Sequence, residues 1–215
     1  MALSHNPRIV TKGLVLALDA ANPKSYPGSG TTWFDMSKNK NDATLILAPI
    51  FNVNRFSFDG TQTATVLNPL GQSTLTQEWT VSAWINITDK VSQRLVTGLA
   101  AGLSVCYTQG NNSLLYLNSG ANDYYTYGGD LGGLGWVMAT FRFRNSDGYR
   151  TIYRNTTNIS TSGPNNTSIP VGQSATFTLC SALEGDVAQI NMYDRVLTDA
   201  EIQQNFEATR SRFGI

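Results

Sequence analysis

Two carboxylates occur at strand-like spacing in the stretch EGDVAQ, residues 184–189. Glu184 and Asp186 would project to the same side of an extended strand, and glycosidases use two such carboxyl groups on either side of a sugar bond. Gln189 stands where a further carboxylate would be wanted, and an amide cannot carry the catalytic proton. His5 is the only histidine, so neither a serine–histidine–aspartate triad nor a histidine-based zinc site is available. We therefore expect no catalytic residues and no enzymatic activity.

Asp19 and Asp59 each end a short apolar run and are the candidate metal ligands. A bound Ca²⁺ takes about six to eight oxygens, which several loops together could supply. No dense carboxylate cluster accompanies either residue. We therefore expect a structural role for both, in which the carboxylate accepts backbone amides of the next turn. We expect no cofactor, with Ca²⁺ as the open alternative. The glycine-rich stretch at residues 128–135 lacks the lysine ending of a phosphate loop and predicts a turn.

The segment NSGANDYYTYGGD, residues 118–130, has the side chains that hold carbohydrates. Aromatic rings stack on the apolar faces of sugars, while amide and carboxylate groups match their hydroxyls. An alternative is that the tyrosines belong to a strand that fills the core and that the small polar residues only form its turns. The candidate carbohydrate-binding residues are Asn122, Asp123, Tyr124, Tyr125, Tyr127 and Asp130. A second aromatic pair, Tyr26 and Trp33, is expected in the core.

Apolar and polar residues alternate along most of the chain, which is the pattern of half-buried antiparallel strands. The alternation is clearest in residues 79–87 and 136–144. Further strands are predicted at residues 14–19, 43–47, 55–58, 63–67, 94–99, 102–107, 113–117, 149–154, 175–180 and 186–193. So many short strands separated by turns predict an all-β sandwich of two antiparallel sheets, because a single open sheet would leave an apolar face in water. Residues 155–168 are polar enough to predict a mobile loop.

One helix is predicted at the C-terminal end, in the stretch LTDAEIQQNF and the residues after it. Thr198 and Glu201 have the spacing of a capping box, in which each side chain binds the backbone amide of the other residue. The apolar stripe of the helix consists of Ile202, Phe206 and Phe213. Gly214 is expected to end the helix. At about fifteen residues such a helix is marginal alone, so we expect it to pack on a sheet.

Composition limits the class of partner. The chain has 215 residues, enough for one substantial core, and we expect a single domain at residues 13–215 after an N-terminal arm at residues 1–12. Basic and acidic residues balance at 15 each, so we expect neither nucleic acid nor membrane partners. The N-terminus has no export signal, and no apolar run is long enough to span a bilayer. Cys106 and Cys180 are expected as buried thiols, with a core disulfide as the alternative.

Four motifs taken together resemble a known family. They are GLVLALDAANPKSYPGSGTTWFDMS (13–37), FSFDGT (56–61), EWTVSAWINI (78–87) and GDVAQINMYDRVLTDAEIQQNF (185–206). They are similar to successive signatures of the laminin G-like, concanavalin A-like jelly-roll family, and in particular of stand-alone members from tailed bacteriophages of marine cyanobacteria. The resemblance implies a jelly roll closed by the last strand and the helix. Within it, Asp19 would fix the loop after the first strand and Trp33 would pin that loop to the core.

The resemblance also implies a function. We expect a non-enzymatic phage virion structural protein, either a capsid decoration or cement protein or an accessory head or tail protein, located in the virion after assembly in the host cytoplasm. Its partners would be the major capsid protein, other virion proteins or further copies of the chain. The candidate partner-contact residues lie in the arm and are His5, Asn6, Pro7, Arg8 and Lys12. Fraying of the arm is the alternative at these positions. The alternative function is a lectin-like module of a phage appendage that contacts host surface glycans.

Overall fold

A computed structural model describes residues 7–71, 78–88, 92–98, 104–109, 112–118, 123–144, 146–161 and 175–215, with the backbone alone for the described residues from 104 to 127. The strands are, in chain order, β1 (Leu14–Asp19), β2 (Thr32–Trp33), β3 (Ala43–Ile46), β4 (Ile50–Phe51), β5 (Phe56–Asp59), β6 (Thr63–Leu67), β7 (Glu78–Ile87), β8 (Arg94–Thr97), β9 (Ser104–Gln109), β10 (Asn112–Asn118), β11 (Asp123–Gly128), β12 (Val137–Arg144), β13 (Tyr149–Arg154), β14 (Thr157–Asn158), β15 (Ser160–Thr161), β16 (Thr176–Ser181) and β17 (Glu184–Tyr193). The helix α1 spans Asp199–Thr209, and a 3-10 helix spans Arg210–Phe213.

The strands form two antiparallel sheets. Sheet A has eight strands in the order β14-β13-β12-β7-β17-β5-β4, with β1 also paired to β17. Sheet B has nine strands in the order β15-β11-β10-β9-β8-β16-β6-β3-β2. The apolar residues that alternate inward from both sheets form one core, which includes Trp33, Phe56, Trp79, Phe141 and Phe177. The prediction of an all-β, two-sheet sandwich with one C-terminal helix is confirmed.

The loop after β1 is fixed as the sequence predicted. Asp19 Oδ1 accepts the backbone amide of Ala21 at 3.0 Å, which is the expected turn. Trp33 is completely buried, and its ring centroid lies 4.8 Å from that of Phe56. Tyr26 also packs edge-on against Phe56, so the second aromatic pair belongs to the core as expected.

A carboxylate that the sequence analysis overlooked holds the same loop from inside. Asp35 is 1 % exposed, and its Oδ1 accepts the amides of Ala17 and Ser37, each at 2.8 Å. Its Oδ2 accepts the Ser37 hydroxyl at 2.6 Å and the Asn41 amide at 2.8 Å. These four hydrogen bonds fix the loop to β1. Among the described residues, no ion pair involves the Asp35 carboxylate.

Replacing Asp35 by asparagine tests this role. The substitution turns one oxygen into an amide group that faces two donors, so we expect the free energy of unfolding to fall by about 2 kcal/mol. Urea denaturation followed by tryptophan fluorescence measures the change. Asp42→Asn is the control, because Asp42 is exposed and its carboxylate accepts the Asp35 amide, and it should cost less than about 1 kcal/mol. Equal losses for the two variants would contradict the assignment.

The helix α1 covers the outer face of sheet A. A second apolar cluster forms there, in which the ring of Trp84 stacks on Phe206 and Phe213 with centroids 5.7 and 4.1 Å away. The predicted capping box between Thr198 and Glu201 is present. The helical segment ends at Gly214, which has a φ of 72°, as predicted, but only its first eleven residues are α-helical and the last four form a 3-10 turn.

A side chain explains the early end of the α-helix. The Thr209 hydroxyl donates to the backbone oxygen of Asn205 at 2.8 Å and accepts the indole N–H of Trp84 at 2.8 Å. The φ of Thr209 is −129°, outside the helical range. The last turn is therefore tied to β7 rather than wound as a regular α-helix.

Strands β7 and β12 are buried on both faces, so the expectation that they are half-buried is wrong. Thr80, Ser82 and Trp84 on β7 and Thr140 and Arg142 on β12 occupy the outer face, and all are at most 3 % exposed. The helix and its flanking loop exclude water there. Polar residues tolerate this burial because they are paired, for example the Ser82 and Thr140 hydroxyls at 2.9 Å.

Arg142 joins the helix to the sheet. Its guanidinium donates to Asp199 Oδ1 at 2.8 Å and to the Leu197 backbone oxygen at 2.7 Å, both at the helix start. It also donates to the hydroxyls of Tyr149 and Tyr153, at 2.7 and 2.6 Å. Burial and the hydrogen bond to Asp199 raise the pKa of Tyr153 to about 12, so this tyrosine remains a neutral donor. Several acceptors surround this position, and arginine is the one side chain that offers five N–H donors to them.

The predicted mobile loop at residues 155–168 contains two short strands, which corrects that prediction for its described part. Strand β14 pairs with β13, and strand β15 pairs with β11. Asn155 Oδ1 accepts the Met138 amide at 2.9 Å, and the half-buried Ile159 packs on the core. One apolar residue within a polar segment is enough to dock it. Residues 162–168 lie outside the described ranges.

Glu201 makes part of the stability dependent on pH. The hydrogen bonds from Arg195, at 2.6 and 2.8 Å, lower the pKa of Glu201 from 4.5 to about 2. A carboxyl whose pKa is lower in the folded state stabilises the fold above its unfolded pKa and loses this contribution as the pH falls through its folded value. We therefore expect a loss of stability between about pH 4.5 and pH 2.

Variants at this pair identify the source of the loss. Glu201→Gln should flatten the curve of unfolding free energy against pH between about pH 4.5 and pH 2, and Arg195→Gln should flatten the same part. Thermal unfolding followed by circular dichroism across that range measures the curves. If the unfolding free energy of both variants falls between about pH 4.5 and pH 2 as steeply as that of the unmutated protein, the assignment is contradicted.

Candidate functional site

The carboxylates of the EGDVAQ stretch lie at the start of β17 in sheet A. Asp186 accepts the Ser57 hydroxyl at 2.5 Å and forms an ion pair with Arg55 across 3.1 Å. Glu184 lies opposite Asp59 in the register of β17 and β5. Gln189 is 5 % exposed and lies beyond a β-bulge in β17. Asp186 is therefore paired with Arg55, and Gln189 is nearly inaccessible to a substrate.

Asp19 and Asp59, the candidate Ca²⁺ ligands, hold protein groups instead. Both oxygens of Asp19 receive the Arg212 guanidinium, at 2.8 and 2.9 Å. Asp59 Oδ1 accepts the hydroxyl and amide of Thr61, and these bonds lower the pKa of Asp59. No group of three metal-ligating side chains occurs in the described part of the chain. The donors around these aspartates do not fit a Ca²⁺ ion.

The candidate sugar-binding residues lie mostly on one strand. Asp123–Gly128 form β11, which pairs with β10 over its whole length and with β15 only at Tyr127 and Gly128. Asn122 lies outside the described residues, and so do the side chains of Asp123, Tyr124, Tyr125 and Tyr127. Asp130 is half-buried, and its backbone oxygen accepts the Arg154 guanidinium at 3.2 Å. The assignment of these residues to sugar binding stays a prediction.

The register of sheet B brings hydroxyl-bearing residues into one row across the strands. Five of them are half-buried or exposed threonines, while their neighbours along the strands face the core. In strand order the row, which we call the hydroxyl row, consists of Thr32, Thr44, Thr65, Thr178, Thr97, Ser104, Tyr116 and Tyr125. It therefore has one member on each of eight adjacent strands and ends at the tyrosines of β10 and β11.

The flanks of the hydroxyl row are uncharged on β3, β6 and β16, whereas Asp123 lies two residues before Tyr125 on β11. The next residues on the same side are Ile46 and Thr63 in one direction and Leu67 and Thr176 in the other. In the described part of the chain, the only hydrogen bond recorded for a row threonine hydroxyl is that of Thr97 to the Thr178 backbone oxygen, at 3.4 Å. The other row threonines, Thr32, Thr44, Thr65 and Thr178, are half-buried or exposed, so water can reach their hydroxyls.

Sequence reasoning named one member of this row, Tyr125, and missed the others. Alternating threonines are visible in TATVL and TFTLCS, but each strand alone shows only a polar face. The row depends on how all eight strands align, because a shift of one residue would move a threonine to the core face. No signal in a single strand could have revealed it.

The arm folds back on the helix where it is described. Gln204 Nε2 donates to the Arg8 backbone oxygen at 2.7 Å, and Arg195 Nε donates to that of Lys12 at 3.0 Å. The side chains of Pro7, Arg8 and Lys12 are exposed. His5 and Asn6 lie outside the described residues. Contact of this arm with a partner stays a prediction.

A groove of about 620 Å³ lies beside the arm. It is bounded by residues 11–15, by residues 36–39 and by Asp194. The exposed side chains of Lys12 and Lys38 border it. A groove of this volume is large enough for a small ligand or for a side chain of a partner.

Comparison with known families agrees with this architecture. The Laminin_G_3 family model, described as the concanavalin A-like lectin/glucanases superfamily, matches residues 58–203, which is more than half of the chain. The chain belongs to this family. The matched range runs from the second half of β5 to the start of helix α1 and includes strands of both sheets, while β1 to β4 of the concanavalin A-like domain precede it. No curated protein sequence matches the chain.

Solved structures with a similar fold include binding domains of botulinum neurotoxins. One is described as the binding domain of botulinum neurotoxin DC in complex with rat synaptotagmin II (TM-score 0.65, 16 % identity, 91 % of this chain and 51 % of that chain). Another is the binding domain of botulinum neurotoxin DC in complex with SialylT (TM-score 0.66, 16 % identity, 92 % and 52 %). A third concerns botulinum neurotoxin type C and its interaction with two ganglioside molecules (TM-score 0.66, 17 % identity, 91 % and 51 %).

These similarities show a shared fold. The chain spans about half the length of each of these solved structures, at 51 to 52 %. In the ranges that the structure describes, no helix is long and apolar enough to cross a membrane.

Proposed function

We propose that this concanavalin A-like domain is a non-enzymatic binding module that holds a carbohydrate on the outer face of sheet B. The observation that carries the proposal is the hydroxyl row, whose described threonines lie on the outer face of sheet B and whose register continues to the positions of Tyr116 and Tyr125. Hydroxyls that both donate and accept match those of a sugar, and tyrosine rings stack on sugar faces. The family includes lectins, and two structures of the same fold are described with SialylT and with gangliosides.

A glycan array with the purified protein tests the proposal. We expect binding to at least one glycan, and we expect Tyr125→Ala to reduce it about tenfold or more, since stacking on one ring contributes on the order of 1 kcal/mol and the hydroxyl adds a hydrogen bond. Ile50→Ala is the control, because it removes an exposed apolar side chain on β4 of sheet A. Circular dichroism confirms that both variants fold. Failure to bind any glycan would overturn the proposal.

The absence of catalysis is a separate part of the proposal. It is supported by the ion pair of Asp186 with Arg55 and by the burial of Gln189. Incubation of the protein with each bound glycan should release no new reducing ends. Release that Glu184→Gln abolishes would show that the domain is a glycosidase.

A second proposal places the module on a tailed-phage particle. It is supported by the sequence resemblance to phage proteins and by exposed aliphatic side chains near β4, where Leu47, Ile50 and Val53 are 69, 63 and 87 % exposed. Such side chains favour protein contacts, here with the major capsid protein or another copy of the chain. Mass spectrometry and cryo-electron microscopy of purified particles test this proposal. Absence of the protein from intact virions would contradict it.

A further inference from the structure

We propose that the groove beside the arm binds an acidic, partly apolar segment of a partner polypeptide. The groove has a volume of about 620 Å³ and lies between residues 11–15, which join the arm to β1, and residues 36–39, which follow β2. It is formed at β1 of sheet A and shares no residue with the hydroxyl row of sheet B. The inference adds a second binding surface to the domain and does not depend on carbohydrate binding.

The charge of the groove's rim selects an acidic ligand. Lys12 on one side and Lys38 on the other are both exposed. Every ion pair among the described residues has arginine as its cation, so neither lysine is paired with a carboxylate there. Arg8 adds a third exposed cation on the arm, and Asp194 is the one acidic residue of the lining. A partner carboxylate between the two lysines therefore meets a surface of complementary charge.

The lining between the lysines is apolar, and the groove is open to solvent. Val15 is buried, Leu14 is half-buried and Met36 is 37 % exposed, so apolar side chains next to the ligand's carboxylate can bury area there. Thr11 and Asn39 are exposed along the groove. A small molecule is usually enclosed over most of its surface, whereas a polypeptide segment can cross an open groove and continue beyond it on both sides. The shape therefore favours a segment of a chain.

Both walls of the groove are fixed by hydrogen bonds within the domain. On the arm side, the Asp194 amide donates to the backbone oxygen of Gly13 at 2.9 Å. Gly13 has a φ of 75°, and a Cβ there would lie 2.6 Å from Asp194 Oδ1, so glycine allows this close approach. On the other side, the Ser37 hydroxyl donates to the backbone oxygen of Val15 at 3.2 Å. A ligand therefore meets a preformed groove, and little ordering of the protein opposes binding.

Fluorescence polarisation with a set of synthetic heptapeptides, blocked at both ends, tests the inference. Each peptide contains two glutamates, with alanine, valine, leucine or phenylalanine at the other positions, and is paired with the same peptide carrying glutamine in their place. We expect at least one acidic peptide to bind and its glutamine form to bind about three- to tenfold more weakly, because two exposed ion pairs are lost. Raising the salt concentration from about 20 mM to about 500 mM should weaken the acidic peptide by a similar factor, since salt screens exposed charges.

Variants of the two lysines locate the binding site. Lys12→Met combined with Lys38→Met removes both charges, keeps long side chains and should weaken the acidic peptide about three- to tenfold. Lys24→Met is the matched control and should leave binding unchanged, because Lys24 is an exposed lysine that does not line the groove. Lys12→Glu combined with Lys38→Glu should prefer the same peptide with lysine in place of glutamate. A merely structural role of these lysines would not produce that reversal.

Weaker peptide binding by the methionine double variant, with the preference reversed in the glutamate double variant, supports the inference. If no acidic peptide binds, if the glutamine peptides bind equally well, or if the methionine double variant binds as the unmutated protein does, the inference is wrong. A dimer in analytical ultracentrifugation that the methionine double variant abolishes, without peptide binding, would assign the groove to a second copy of the chain and overturn the inference. Glycans of the array should bind this variant unchanged, so the two proposals succeed or fail separately.

Discussion

Gly185→Ala should lower the free energy of unfolding by about 3 to 5 kcal/mol, a large part of the stability of a domain of this size. Gly185 has a φ of 135°, a region that L residues rarely adopt. A Cβ there would lie 2.4 Å from the backbone oxygen of Asn86 and 2.6 Å from the Cα of Ile87. These are backbone atoms of the neighbouring strand β7, so relief requires the two central strands of sheet A to separate. Urea denaturation measures the loss.

Gly129→Ala is the matched control for this substitution. Its φ lies outside the positive region, and a Cβ there would meet only the Ile159 Cβ at 3.9 Å, an ordinary contact. The control should change stability by less than about 1 kcal/mol. A Gly185→Ala protein as stable as the control would show that β17 does not pass as close to β7 as described.

Arg142→Met should cost about 2 to 4 kcal/mol, because it removes several hydrogen bonds at once from a site that is 3 % exposed. The hydroxyl of Tyr149 and the backbone oxygen of Leu197 would lose a donor inside the protein. Since these groups lie between sheet and helix, we also expect faster cleavage of the helix by proteases in the variant. Denaturation and limited proteolysis measure the two effects.

Arg144→Met is the control for Arg142, two residues further along the same strand. Arg144 pairs with Asp147 at the surface, where the two side chains are 35 and 52 % exposed. Surface ion pairs contribute little, so this variant should lose less than about 1 kcal/mol. Equal losses for the two arginines would contradict the role of Arg142 in docking the helix.

The sequence predicts the sheets well because alternation is a local property. The strand predicted at residues 79–87 matches β7 to within one residue, the strand predicted at 149–154 coincides with β13, and the capping box at Thr198 is present. The same alternation suggested water on the outer face of β7 and β12. That was wrong because burial of this face depends on where the distant helix docks, and helix docking is not encoded in a single strand.

The candidate site depends on longer-range information than the fold. The tyrosines of β11 stand out in the sequence by composition alone, as does the acidic EGDVAQ stretch. The hydroxyl row does not, since Thr44, Thr65 and Thr178 come together only through the pairing of β3, β6 and β16. The ion pair of Asp186 with Arg55 likewise joins residues far apart in sequence. Composition therefore indicates side chains of interest, and register decides which of them act together.

The most direct test of a carbohydrate-binding face on sheet B is an NMR titration of protein labelled at the threonine methyl groups, with a glycan that binds on the array as the ligand. The account predicts that the methyl signals of Thr44, Thr65, Thr97 and Thr178 shift together on addition of ligand, while those of Thr80 and Thr140 beneath the helix do not. Shifts confined to sheet A, or no shift in any threonine at saturating ligand, would contradict it.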